Sequence, residues 1–461
     1  MLFNKKNKRK RKRGMNLFHD AVDFCIEFPK LLKRIENNEI GKYLNIANNR
    51  NHSLYDGDAY EIAKAISRNT TITHFHLRGA SNNGLELIIH SLENNHNLKA
   101  VDFEVCSDIG AQEVERFLNR DNSHIEDISL RGPFGDDGCK AIAKVLETNT
   151  SIRKIKLDGY RKIGVDGASA IAKAIRINTT VLDLDIGFTC LDLGMEERKI
   201  LAGGIAANTT IRNLNMKNMC FNNDDSIIKI IQTGTNIRSI CLTRCSAAIV
   251  KALLNNPSIE KIDLNDTDFE NSENDARALS ELLKNTKTVK TMTLSYCRMN
   301  ANTIRCIAEG IKVNTSIEEL DLSEMGCGVI FSEHIKIIIN AMDVLAEAIK
   351  VNQTLQRLNL HHSQLGYMGY FFETLADALE YNTVLQELDL SRNWMFFKKE
   401  EEGKSQMLAK FKRRFVYEPY FNANEASFVK KLHGIYHFKV GKRIWNDVVH
   451  VKNRRSRSIL V

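Results

Sequence analysis

The sequence predicts an α/β solenoid, with a parallel β-sheet lining a concave inner face and helices on the convex outside. Two observations carry this. A short frame returns about every 28 residues along most of the 461-residue chain, and self-similarity at a fixed period of that length marks a stack of small supersecondary units. Between returns, the apolar residues change from strand spacing to helix spacing. The frame reads Asn149-Thr-Ser-Ile152-Arg-Lys-Ile155-Lys-Leu157. It returns as Asn208-Thr-Thr-Ile211-Arg-Asn-Leu214-Asn-Met216, as Asn314-Thr-Ser-Ile317-Glu-Glu-Leu320-Asp-Leu322, and as Asn382-Thr-Val-Leu385-Gln-Glu-Leu388-Asp-Leu390.

In chain order, residues 1–14 come first. They hold eight basic residues and no acid, a run that cannot bury anything and is expected to be a disordered tail. Residues 15–40 follow, with Leu17, Phe18, Val22, Cys25, Ile26 and Leu31 at helical spacing. They are expected to form a helical cap over the exposed edge of the first repeat. The repeats then occupy residues 41–393. The last apolar residue of each strand marks the units: Ile46, Leu77, Phe103, Leu130, Leu157, Ile186, Met216, Leu242, Leu264, Leu294, Leu322, Leu360 and Leu390. One interval is short, Leu242 to Leu264. One is long, Leu322 to Leu360, and an insertion around Gly326–Lys336 is expected to form a loop there.

Within a unit, the alternating x-apolar-x-apolar stretch is the strand. The helix reads as Cys139, Ile142, Ala143 and Leu146 in one unit and as Leu375, Ala378 and Leu379 in another. The Asn-Thr after each helix is expected to stop it, with Asn in the left-handed conformation and Thr returning the chain to extended backbone. No unit can bury its apolar face alone, so the units must stack. Strands stack about 4.8 Å apart and helices need about 10 Å. That mismatch bends the stack with the strands inside, along an inner arc on the order of 60 Å. Residues 394–461 depart from the pattern. They are rich in aromatic and basic residues, including Trp394, Phe411, Tyr417, Phe438 and Trp445, and read as a cap or small module.

The repeat resembles the leucine-rich repeat of the ribonuclease-inhibitor-like type. This type is also found in the repeat half of nucleotide-binding innate-immune receptors and in the Ran GTPase-activating protein. The L-x-x-L-x-L-x-x-[N/C] pattern is matched in Ile317–Leu322, Leu355–Leu360 and Leu385–Asn393. Its last position is Cys106, Cys245, Cys297 and Asn393 where the pattern holds. It is Pro133, Tyr160, Thr189, Met219 and Thr267 where it does not, which puts the local hydrogen bonding of the ladder in question there. The resemblance implies a horseshoe that binds proteins through its concave face. Its GTPase-activating branch raises a regulator option in which a rim arginine such as Arg78, Arg131 or Arg392 serves a GTPase in trans. Spacing singles out none of the three.

Catalytic chemistry is not expected. The chain holds no phosphate-binding loop, dinucleotide fingerprint, nucleophile elbow or His-Glu-x-x-His. No cofactor is implied. Ten cysteines with no Cys-x-x-Cys pair read as reduced, buried apolar residues rather than disulfides or metal ligands. The Asn-x-Thr/Ser triplets at Asn69, Asn149, Asn178, Asn208 and Asn314 match a glycosylation acceptor but coincide with the repeat turn. No apolar run is long enough to span a membrane, and Asp20 and Asp23 interrupt any signal-peptide core. An intracellular, cytoplasmic protein is expected, with nuclear import one use of Lys8, Arg9, Lys10, Arg11, Lys12 and Arg13.

Charge points to the binding surface. The chain is net +8, yet residues 1–14 carry eight bases and residues 398–461 carry sixteen bases against six acids, which leaves −10 between them. Residues between the two apolar strand positions face the concave side. That column includes Asp102, Lys156, Asp185, Asp263, Asp321 and Asp389, and the next outward position adds Glu104 and Asp158 beside Arg78, Arg131 and Lys217. Read blandly, this is the polar outer face any sheet needs. Read functionally, it is an anionic groove that steers a partner with a basic surface. Tyr160, Phe188 and Tyr296 are candidate rim anchors. The expected function is a non-enzymatic protein-binding scaffold. The alternative, from another class, is a nucleic-acid-associated protein whose basic ends contact phosphates.

Overall fold

A computed structural model describes residues 15–16, 24–46, 54–120, 124–159, 163–187, 193–217, 225–325, 332–363, 369–390 and 393. The basic tail, the segment 394–461, and Tyr160, Phe188 and Arg392 lie outside the described residues. The chain divides into two compact units at Leu264 and Asn265.

Among the described residues of the first unit, ten parallel strands pair in chain order. They are β1 (Met15–Asn16), β2 (Tyr43–Ile46), β3 (His74–Leu77), β4 (Ala100–Glu104), β5 (Asp127–Gly132), β6 (Lys154–Gly159), β7 (Asp183–Asp185), β8 (Asn213–Asn215), β9 (Ser239–Cys241) and β10 (Lys261–Asp263). Among the described residues nine helices alternate with them: α1 (Phe24–Glu36), α2 (Asp56–Ile66), α3 (Asn82–Leu92), α4 (Asp108–Asn119), α5 (Asp136–Thr148), α6 (Val165–Ile177), α7 (Met195–Ala207), α8 (Asp225–Thr233) and α9 (Ala247–Leu254), each packed on the next. The second unit repeats the plan with β11 (Thr291–Thr293), β12 (Glu319–Asp321), β13 (Arg357–Asn359) and β14 (Glu387–Asp389), and with α10 (Glu273–Asn285), α11 (Ala301–Val313), α12 (Ser332–Val351) and α13 (Gly369–Tyr381). Both units are α/β repeat solenoids of leucine-rich-repeat character.

The expected strand positions form the core. All thirteen markers are buried, from Ile46 to Leu390, and so is the apolar residue two before each, such as Phe75, Ile155 and Leu358. Alternation explains this: the residues between point to the opposite face. Within residues 15–40 the chain forms β1 and then α1, so a short strand precedes the helix and pairs Met15 with Leu44. The short interval before Leu264 is met by α9, a helix of only 8 residues. The long one is met differently from expectation: residues 332–336 of the insertion belong to α12, which grows to 20 residues rather than leaving them in a loop.

The asparagine after each helix does not take the left-handed conformation. Asn178 sits at φ −66, ψ 131 and Asn314 at φ −67, ψ 139, both extended. Its side chain is what matters. Asn178 Nδ2 donates to the Leu146 carbonyl at 2.8 Å, and its Oδ1 accepts from the Thr180 and Val181 amides at 2.9 and 2.8 Å. Asn314 and Asn382 repeat this, donating to Leu283 and Ile349. One buried amide thus satisfies a helix-end carbonyl of the preceding repeat and two turn amides of its own, groups that would be costly to leave unpaired. This accounts for the buried acceptor-like triplets at Asn69, Asn178, Asn208 and Asn314.

The last pattern position is also satisfied without Asn or Cys. Thr267 is buried, and its carbonyl accepts from the Arg298 amide at 3.1 Å. Asn393 donates to the Leu360 carbonyl at 2.6 Å and accepts from the Ser363 amide at 2.9 Å. Cys139, Cys245 and Cys297 are buried free thiols, but Cys106 is exposed, its thiol donating to the Ala80 carbonyl. Close packing shows at Gly204 of α7, where a Cβ would come within 2.4 Å of the Ala172 carbonyl oxygen on α6.

Candidate functional site

Strand register sets the outward side chains in rows. The central row of the first unit runs Asn45, His76, Asp102, Ser129, Lys156 and Asp185, continuing through Asn215 and Cys241 to Asp263. In the second unit it runs Thr293, Asp321, Asn359 and Asp389. Asp102, Lys156, Asp185, Asp263, Asp321 and Asp389 therefore all lie in central rows. Glu104 and Asp158 stand in the next row, opposite Arg131 on either side.

In the first unit the acids hold cations. Asp102 meets His76 at 2.7 Å and Arg131 at 3.6 Å. Asp185 meets Lys156 at 3.3 Å, and Asp263 meets Lys217 at 3.3 Å. An unbroken anionic column is not what this face presents, because strands about 4.8 Å apart let oppositely charged neighbours close on each other. In the second unit the face holds more acids than bases in its two rows. Glu319 pairs with Arg357 at 3.1 Å and Glu324 with His362 at 2.5 Å, while Asp321 accepts the Ser323 amide at 2.8 Å and Glu387 and Asp389 are exposed.

Burial tunes these groups in opposite directions. Burial pushes the Asp102 carboxyl up, but the His76 hydrogen bond and the charges of His76 and Arg131 outweigh it and hold the group below the usual carboxylate range. At Asp158, burial wins over Arg131 and Lys156, and the pKa is raised. Burial and the neighbouring Asp263 push the Cys241 thiol up.

Sequence reasoning missed the row two residues before the central one: Tyr43, His74, Asp127 and Lys154. Period-two alternation places it on the same face, so the signal was present. Tyr43 stacks on His74 with ring centroids 4.3 Å apart, and Lys154 meets Asp127 at 3.1 Å. These rows border a hollow of about 480 Å³ over β2–β6. Tyr296, the described rim candidate, is 62% exposed and holds a left-handed backbone, φ 57. Arg78 and Arg131 lie on the open face of the first unit. Among the described residues, no cluster of His, Cys, Asp and Glu could hold a metal ion, and no helix is long and apolar enough to cross a membrane.

No protein-family model matches the chain, and no curated protein matches it. Among solved structures it is similar to that titled "Crystal structure of Rad7 and Elc1 complex in yeast", at 13% identity over 76% of this chain and 87% of that one, with a TM-score of 0.41. It is also similar to Leiomodin-1 actin-binding site 2, at 18% identity over 39% of this chain and 89% of that one, with a TM-score of 0.23. At such scores the architecture rests on the strands and helices themselves.

Proposed function

We propose that the protein is a non-enzymatic scaffold, built on leucine-rich repeats of the ribonuclease-inhibitor-like type, that holds a folded protein partner on its strand faces. One observation carries this reading. Strand after strand spends one side chain on the core and the next on an outward polar row that the fold does not need for burial. Short strands tied by buried asparagines fix those rows before any partner arrives, which lowers the ordering cost of association. In the second unit Asp321, Glu387 and Asp389 favour a partner with a basic surface.

The test compares partners captured by the full chain, by residues 15–397, and by the full chain carrying Asp263→Lys, Asp321→Lys and Asp389→Lys. The reading expects the trimmed chain to keep its partners and the triple variant to lose at least those bound through the second unit. Loss on trimming, matched by loss on nuclease treatment, overturns it in favour of the basic ends contacting nucleic acid.

A further inference from the structure

The two strand faces meet their negative charge differently. Over the first unit, strand residues supply the cations themselves: Lys156 closes on Asp185, Lys217 on Asp263, and His76 with Arg131 on Asp102. Over β11–β14 the outward rows hold four acids, Glu319, Asp321, Glu387 and Asp389, and one base, Arg357. Arg357 is taken by Glu319 at 3.1 Å. Glu387 and Asp389 stand exposed on β14, so the end of this face is open to solvent. The chain carries the opposite charge directly beyond it. Residues 398–461 hold sixteen bases against six acids, and the densest basic run near the repeats is Lys410-Phe-Lys-Arg-Arg414, which begins 17 residues after Asn393.

We propose that Lys410, Lys412, Arg413 and Arg414 dock on the acidic face of β11–β14 in the same molecule and hold it closed to partners. This contact rests on the strand-face reading above and regulates that same face. Four cations meet a face of net negative charge, so the two surfaces are complementary. The tether decides the occupant. A flexible chain of that length spans roughly 20–25 Å, whereas β12 and β14 lie only about 10 Å apart. A short tether holds its end at an effective concentration on the order of 1 mM, far above that of a second copy. The other basic run, residues 1–14, precedes β1 and has no such tether to β14. Between Asn393 and Lys410, Glu400, Glu401 and Glu402 are repelled by the same face, which leaves Lys410–Arg414 to settle on it. Exposed ion pairs are individually weak, so the tether rather than any one contact keeps the face occupied. A basic partner can therefore displace the segment, and salt opens the face.

The probe is a fluorescein-labelled peptide of residues 404–416, titrated by anisotropy into the full chain at low salt. In the wild-type chain the tethered copy competes with it. On a full chain carrying Lys410→Gln, Lys412→Gln, Arg413→Gln and Arg414→Gln, the peptide should bind about tenfold more tightly. Adding Glu387→Gln and Asp389→Asn to that chain should remove the gain. If the combined variant loses its thermal transition, Glu387→Gln alone replaces the pair, and the gain should fall at least threefold. Equal binding to the wild-type and four-Gln chains overturns the contact, as does a gain that survives the β14 substitutions. A gain seen only on neutralising Lys452, Arg454, Arg455 and Arg457, or only on neutralising residues 8–13, assigns the face to another run and overturns it too. So does competition that grows with protein concentration, which marks a second copy. Equal binding to both chains that still depends on Glu387 and Asp389 leaves the strand-face reading standing. Partner capture that survives Asp263→Lys, Asp321→Lys and Asp389→Lys overturns that reading instead, so the two can fail separately.

Discussion

The strand faces over β2–β6 and over β11–β14 are built from the same repeat and present different surfaces. Strands β2–β6 run four to six residues and carry a third outward row, whereas β11–β14 run three. Part of the difference lies two residues past the markers Leu130, Leu294, Leu322 and Leu360. Tyr296, Glu324 and His362 take left-handed backbone there, with φ between 50 and 57, and turn the chain out of the sheet. On β5 the same position is Gly132, at φ 134, where a Cβ would lie 1.9 Å from the Val105 carbonyl oxygen, so only glycine lets the two strands stay paired that far. On β5, β11, β12 and β13 this backbone position goes with the length of the strand: glycine keeps β5 paired further, and a left-handed residue ends each of the others.

If the two regions differ only in their faces, their scaffolds should fail alike. Asn178→Ala in the first unit and Asn314→Ala in the second each strand one helix-end carbonyl and two turn amides. Each should cost about 2–4 kcal/mol, read as matching shifts in denaturant midpoint. A cost below about 0.5 kcal/mol at either site would show that the ladder is not what holds that region.

The repeat, the core positions and the central rows were legible because they depend on local period: Leu320 and Leu322 alternate with Asp321 whatever the rest of the chain does. The asparagine's place as the helix stop is legible in the sequence, whereas its extended backbone is not. Its decisive bonds reach a carbonyl some thirty residues upstream, as from Asn314 to Leu283, and a local reading cannot see that far. The pairing of Asp185 with Lys156 was hidden for the same reason. Both residues were assigned to the right column, but only strand register makes them neighbours. The early start of α12 is hard to read because Gly326 and Gly328 interrupt the apolar pattern just ahead of Ser332.

Within the first unit, Asp102 and Asp158 contrast a carboxylate whose cations outweigh burial with one where burial wins. The folded state holds Asp102 below its ordinary range, so its contribution is present at neutral pH and lost as pH falls through about 4 and below. Asp102→Asn should therefore destabilise by about 1–2 kcal/mol at pH 7, and the difference from wild type should shrink towards pH 3. Asp158 has the opposite sign. Its raised pKa means that ionisation above about pH 4 opposes folding, so Asp158→Asn should leave stability unchanged or higher at pH 7, with no difference in acid. Thermal midpoints across pH 3–8 decide between them, and parallel curves for the two variants would mean that burial and neighbouring cations balance alike at the two carboxylates.

The smallest effect belongs to the second unit. Arg357 and Glu319 meet at 3.1 Å across β12 and β13, with side chains 40% and 41% exposed. Solvent screens such a pair and its side chains lose freedom on meeting, so a double-mutant cycle with Arg357→Gln and Glu319→Gln should give a coupling of about 0.5 kcal/mol or less. Unlike the Asp102 contacts, this pair is open enough to exchange its partner for another: a basic surface docking on β11–β14 competes for Glu319 without first breaking a buried contact. A coupling well above 1 kcal/mol would mean that the second face is as locked as the first, and the acidic surface would then consist of Asp321, Glu387 and Asp389 alone.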